Sequence, residues 1–181
     1  TDMSIGTLSA GTHTLKIVTD LYGDISESNE SDNEYSRSKT IAQSVCVNLT
    51  PYQPSGWDDK IVLSTVTGTN TSASTIYEDQ TIYVDYGCIN TGSADAGHFH
   101  YGLYIDGTCV KYVDRTSMAA GSGGYVSDSA NGPLSAGTHT FKVVCDYDSE
   151  VTEASESNNE YSRSKSISAR STALPDLQPY Q

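Results

Sequence analysis

"HFHYGLYIDGTCVKYV" occupies residues 98–113 and carries the signature of the fold. Phe99, Tyr101, Leu103 and Ile105 recur at every second position, the spacing that places side chains on one face of a strand. Asp106-Gly107 follows, a dipeptide that accepts positive φ at both central positions of a tight hairpin. "TCVKYV" then leads away as the returning strand. The pattern is β-hairpin, not helix.

The same alternation continues on both sides. Upstream, "TIYVDYGCIN" (81–90) puts Ile82, Val84, Tyr86 and Cys88 on one face, opposite Tyr83, Asp85 and Gly87. Downstream, "THTFKVVCD" (138–146) turns Phe141, Val143 and Cys145 inward, and "EYSRSKSIS" (160–168) makes a final strand. Turn signals separate the runs: "TGTNTS", "NTGSADAG", "AAGSGG" and "NGPLSAG". About seven strands over roughly 120 residues, with turns at this spacing, predict an all-β immunoglobulin-like sandwich.

Part of this pattern occurs twice. "LSAGTHTLKIVTDLYGDISESNESDNEYSRSKTI" begins at Leu8 and "LSAGTHTFKVVCDYDSEVTEASESNNEYSRSKSI" at Leu134, a constant offset of 126. "NLTPYQ" (48–53) matches "DLQPYQ" (176–181) at an offset of 128. A tandem repeat of 126–128 residues is therefore expected. Residues 1–45 read as the C-terminal portion of one repeat and 46–170 as a complete one. Residues 171–181 read as a linker and the first strand of the next. The chain then starts and stops out of phase with its own repeat, and an end-to-end fibre is expected. Neighbouring repeats or identical subunits complete both ends, with donor-strand addition as one route.

Composition narrows the function. Thirteen Tyr stand against two Phe and one Trp, a balance that suits half-exposed sheet surfaces. Ten Lys plus Arg against 23 Asp plus Glu give a net charge of −13, which argues against nucleic acid and anionic membrane as partners. Twelve of the 23 carboxylates crowd into Asp20–Glu34 and Asp146–Glu160, so the charge belongs to particular loops. No apolar run approaches the roughly 20 residues that span a bilayer, so no membrane insertion is expected. A strand-like pattern opens the chain, which puts any export signal upstream of it or already removed. Four Cys without CxxC or zinc spacing fit disulfide chemistry outside the cell. G-x-S-x-G, H-E-x-x-H and phosphate-loop motifs are missing from the sequence, and no enzymatic activity is expected.

These stretches, taken in order, resemble the bacterial cell-adhesion-related domain, CARDB. The early "DL" of that family corresponds to Leu49, with Asn48 for the usual Asp. Its "N-x-G" corresponds to Asn90 and Gly92, its "aG-x-h-t" to Ala136–Thr140, and its "E-x-x-E-x-x-N" to Glu153, Glu156 and Asn159. The resemblance covers residues 47–169 in full and 1–45 as a final portion. It implies a non-catalytic, extracellular, immunoglobulin-like module, often arrayed in long bacterial surface proteins. Cell-surface proteins and glycans are the external partners to weigh.

Candidate sites follow. Asp20, Glu27, Glu30 and Asn33 recur as Asp146, Glu153, Glu156 and Asn159. Clustered hard oxygens suit Ca²⁺, which takes roughly 6–8 of them. The competing, favoured reading is that these side chains brace a long hairpin by bonding its own backbone amides. In an immunoglobulin topology, Cys88 and Cys145 end the second and sixth strands facing each other, where a bridge would close a loop of about 57 residues. The first copy has Thr19 in place of Cys145, so such a bridge is not common to every repeat. Cys46 and Cys109 fall at opposite poles, and an inter-repeat contact suits them better than pairing with each other.

His98 and His100 share an outward strand face without an evident third ligand, and His13 and His139 read as exposed strand positions. Trp57 and the Tyr residues raise the alternative of a carbohydrate-binding accessory module of a secreted enzyme.

Overall fold

A computed structural model describes residues 4–171. It divides into two compact units, Thr1–Val45 and Cys46–Gln181. The strand expected at 174–181 lies outside the described residues.

The first unit holds β1 (Gly11–Val18) and β2 (Glu34–Ile41), paired antiparallel from Gly11↔Ile41 to Val18↔Glu34. Among its described residues the second holds nine strands: β3 (Leu49–Pro51), β4 (Ile61–Ser64), β5 (Ile76–Tyr77), β6 (Ile82–Asn90), β7 (Phe99–Ile105), β8 (Thr108–Arg115), β9 (Gly123–Asn131), β10 (Gly137–Cys145) and β11 (Glu160–Ser168). Five of them form one sheet in the order β5-β11-β10-β7-β8. The opposing sheet is built on β6. β9 follows one edge from Ile82 to Ile89, while β4 and β3 lie end to end along the other, on residues 83–86 and 88–90.

The alternating runs become the inner faces. Ile82, Val84 and Cys88 of β6 are fully buried, as are Phe99, Tyr101 and Leu103 of β7 and Phe141, Val143 and Cys145 of β10. Leu49, Ile61, Leu63 and Ile76 complete a single apolar core between the sheets. The Tyr86 and Tyr101 rings meet edge to face there, 6.1 Å between centroids. Asp106 and Gly107 adopt φ of 49° and 81°, which gives the tight hairpin between β7 and β8 its sense.

Among the described residues, this unit has nine strands against the expected seven or so. β9 was not legible, and it changes the environment of β6. Asp85, on the face opposite the core, is buried, and Asp128 of β9 donates its backbone N–H to the Asp85 carboxylate at 2.6 Å.

Asn90 and Gly92 tie β3 to this framework. The buried Asn90 side chain uses all its bonding capacity. Its Oδ1 accepts from Asn48 N (3.2 Å) and Gly92 N (3.0 Å). Its Nδ2 donates to Ala94 O (2.8 Å) and Met118 O (3.1 Å). Gly92 lies so close to residues 46–48 that a Cβ there would stand 2.3 Å from Cys46 O. The resemblance's "N-x-G" is thus a backbone clamp.

Candidate functional site

The loop between β10 and β11 holds the second acidic stretch. Its first residue, Asp146, is buried, left-handed at φ 48°, and accepts from Glu150 N and Val151 N, both at 3.0 Å. Glu156 accepts from Glu153 N at 3.0 Å. Glu153 accepts from Leu49 N and, at 2.8 Å, from Asn159 Nδ2. Burial pushes the Asp146 and Glu153 carboxyls up, against the pull of their N–H donors. These bonds are the bracing pattern, and through Leu49 they also anchor the start of the domain.

The first unit repeats the pattern at an offset of 126 residues. Asp20, at φ 45°, accepts from Asp24 N (2.8 Å) and Ile25 N (3.1 Å), and Glu30 accepts from Glu27 N (2.7 Å). Asn33 O accepts from Thr19 N at 2.9 Å, as Asn159 O does from Cys145 N at 2.8 Å. Gly23 (φ 67°) and Ser149 (φ 55°) occupy equivalent left-handed positions, so the loop keeps its course where glycine is replaced. Each loop also brings three carboxylates together. Asp146, Glu153 and Glu156, like Asp20, Glu27 and Glu30, each offer oxygens within 4.8 Å of one another.

Cys88 and Cys145 are both fully buried, and burial beside Cys88 pushes the Cys145 thiol up. All four thiols are free in this structure. Cys46 is half-buried, its carbonyl accepting from Ser93 N and Ala94 N. Cys109 is exposed on β8, its thiol 3.5 Å from Lys111 O.

Two aromatic or imidazole readings change. Trp57 is buried and meets Tyr125 edge to face at 5.5 Å, so it offers no free face for stacking a sugar. His139 is half-buried, not exposed. It bonds Asp106 Oδ2 at 2.6 Å and Ser135 O at 2.9 Å, and the Asp106 hydrogen bond raises its pKa.

His98 and His100 acquire the partners that the sequence did not reveal. His98 Nδ1 lies 2.5 Å from Glu150 Oε2, and its Nε2 lies 2.9 Å from Asp114 Oδ1. His100 Nδ1 lies 2.6 Å from Asp148 Oδ2. The bond from Glu150 raises the His98 pKa. These carboxylates stand 16, 48 and 52 residues away along the chain, too far for any local pattern to flag.

Two sheets closed over one core define an immunoglobulin-like β-sandwich module. The CARDB family model matches residues 61–163, and the chain belongs to that family, which is non-enzymatic. Among solved structures, it resembles the CARDB domain of the PF1109 protein of Pyrococcus furiosus, crystallised in complex with di-metal ions. The TM-score is 0.55 at 16% identity over 70% of this chain and 97% of that one. The solution structure of the same domain gives a TM-score of 0.51 at 15% identity, over 68% of this chain and 97% of that one. At these identities the likeness is one of fold. No curated protein matches the chain.

Proposed function

We propose that this chain is a non-catalytic structural and adhesive module of the cell exterior, built for use in series. One observation carries the reading. β1–β2 duplicates β10–β11 partner for partner, Gly11↔Ile41 answering Gly137↔Ile167, and the acidic loops are braced alike. Yet Leu15 and Ile17 are 42% and 65% exposed, whereas their equivalents Phe141 and Val143 are fully buried. An apolar strand face left in water is an association hazard. The strands of a neighbouring repeat or subunit would cover it, as the rest of the sandwich covers β10 and β11. Sedimentation of the chain should show association that grows with concentration and disappears in Leu15→Ser/Ile17→Ser. A monomer at all concentrations, with the Leu15 and Ile17 amides protected from exchange, would count against the reading.

Two finer features belong to it. The acidic loops bind a divalent cation, calcium by the hardness of their oxygens, in addition to bracing the hairpin. A carboxylate oxygen that accepts one N–H retains a lone pair for an ion. Asn159 Oδ1, buried beside Glu153 and Glu156, has no hydrogen-bond partner. The di-metal complex of the Pyrococcus domain supports a cation role for this fold. In an oxidising exterior, Cys88 and Cys145 are joined. One set of melting curves tests both. Reduction should lower Tm by about 10 °C, from a bridge worth about 3–4 kcal/mol. Saturating Ca²⁺ should stabilise the EDTA-treated chain by about 2–3 kcal/mol. Melting that ignores reductant removes the bridge, and melting that ignores Ca²⁺ leaves bracing as the loops' whole role.

A further inference from the structure

We propose a second, chemically different metal site on the outer face of β7, formed by His98, His100 and Glu150 with Asp148 and Asp114 beside them, that takes a borderline divalent ion of the Zn²⁺ type.

The strand makes half of it. His98 and His100 flank the buried Phe99, so both rings stand on the outward face, 4.8 Å apart between centroids. Tyr112 and Tyr147 pack against the His100 ring at 5.8 and 5.7 Å and limit its freedom. The acidic loop makes the other half. Two left-handed residues, Asp146 and Ser149, turn the chain back immediately after β10, with Ser149 N donating to Asp146 O at 3.0 Å. Asp146 holds the Glu150 amide, and Tyr147 N donates to His100 O at 3.3 Å. Asp148 and Glu150 are thereby delivered over the two imidazoles. Asp114 reaches in from β8, opposite His100 in the register.

Charge and donor type select the ion. Three carboxylates against two imidazoles leave the cluster negative even with both rings protonated. Two nitrogens with oxygens suit Zn²⁺, Co²⁺, Ni²⁺ or Cu²⁺ and do not suit Ca²⁺. One ligand atom from each of His98, His100 and Glu150 lies within 4.8 Å of the others. Zn–N and Zn–O bonds of about 2 Å put neighbouring ligands roughly 3.3 Å apart in a tetrahedral shell. His100 Nδ1 and Glu150 Oε2, 3.8 Å apart, are close to that spacing. The 2.5 Å contact between His98 Nδ1 and Glu150 Oε2 must open by about 1 Å, a rotamer adjustment of exposed side chains. Asp114 and Asp148 then act as further ligands or as partners for the second ring nitrogens.

The test uses the full chain, kept reduced, with Co²⁺ and Zn²⁺ as the probes. One Co²⁺ per chain should give d–d absorption without thiolate charge transfer. Zn²⁺ should displace it, and millimolar Ca²⁺ should not. His98→Ala and His100→Ala should each weaken uptake at least as much as the roughly 10–100-fold typical of outer-shell changes. Glu150→Gln keeps the loop's backbone bonds and should also weaken uptake, which guards against a histidine variant that misfolds. His13→Ala, in the other unit, should bind as the parent does. Thiolate charge transfer, absence of uptake at millimolar metal, or unchanged affinity in folded Glu150→Gln and either histidine variant would each overturn the site. Loss of Ca²⁺ binding at the acidic loops would leave it standing.

Discussion

Phe141→Ala should destabilise the sandwich by about 3–5 kcal/mol, the usual cost of deleting a fully buried aromatic ring. The ring stands on β10 between β7 and β11, in register with Ile105 on one side and Arg163 on the other, and is fully buried in the core. A domain of this size has about 5–15 kcal/mol in total, so roughly a fifth or more of its stability is at stake. Trp57 is the single tryptophan and is itself buried in this unit, so its fluorescence in urea reports this transition alone. Leu15→Ala, the same repeat position in the other unit, should leave that transition in place. A loss below about 1 kcal/mol in Phe141→Ala would mean that the two sheets do not close over β10 as described.

Gly92→Ala should cost as much, by a different route. The added methyl would lie 2.3 Å from Cys46 O and 2.7 Å from Asn48 N, both backbone atoms that cannot rotate away. Relief requires residues 46–48 to retreat from the 90–94 turn. That breaks the bonds from Thr91 N to Asn48 O and from Ala94 N to Cys46 O, and it uncovers Leu49. A single methyl group should therefore cost more than about 4 kcal/mol, the range reserved for changes with a specific structural cause. Amide exchange at Leu49 and Thr50 of β3 should accelerate well before that of β6 does. Native protection at those two amides, with an unchanged melting temperature, would show that the close approach is not there.

The contrast between what the sequence announced and what it hid follows from the range of the interactions. Alternation in β6, β7 and β10 was legible because a strand's two faces meet different solvents, and the period records it directly. The acidic hairpin was legible because its donors and acceptors lie within a few residues of one another. β9 was not. "GGYVSDSAN" has two glycines and five small or polar residues, and it becomes a strand because β6 offers it an edge, not through its own propensity. Trp57 looked like a surface aromatic because nothing nearby in the chain reveals Tyr125 across from it. The carboxylates around His98 and His100 escaped for the same reason, since Asp114 on β8 and Asp148 and Glu150 in the β10–β11 loop approach them only after the sheet has formed.

The way the second unit is fastened at its beginning also determines how it would respond to force. Val47 forms a parallel bridge with Glu153, Ala154 N donates to Val47 O, and Thr50 Oγ1 donates to Asn158 O. These bonds join the segment leading into the sandwich to the stretch that immediately precedes β11. Tension applied before Cys46 and after β11 would draw those two parallel segments past each other in opposite directions. Bonds arranged across that direction are loaded together, in shear, and must give way together instead of unzipping one at a time. A module fastened in this way would transmit pull along a chain of its fellows while its core remained closed.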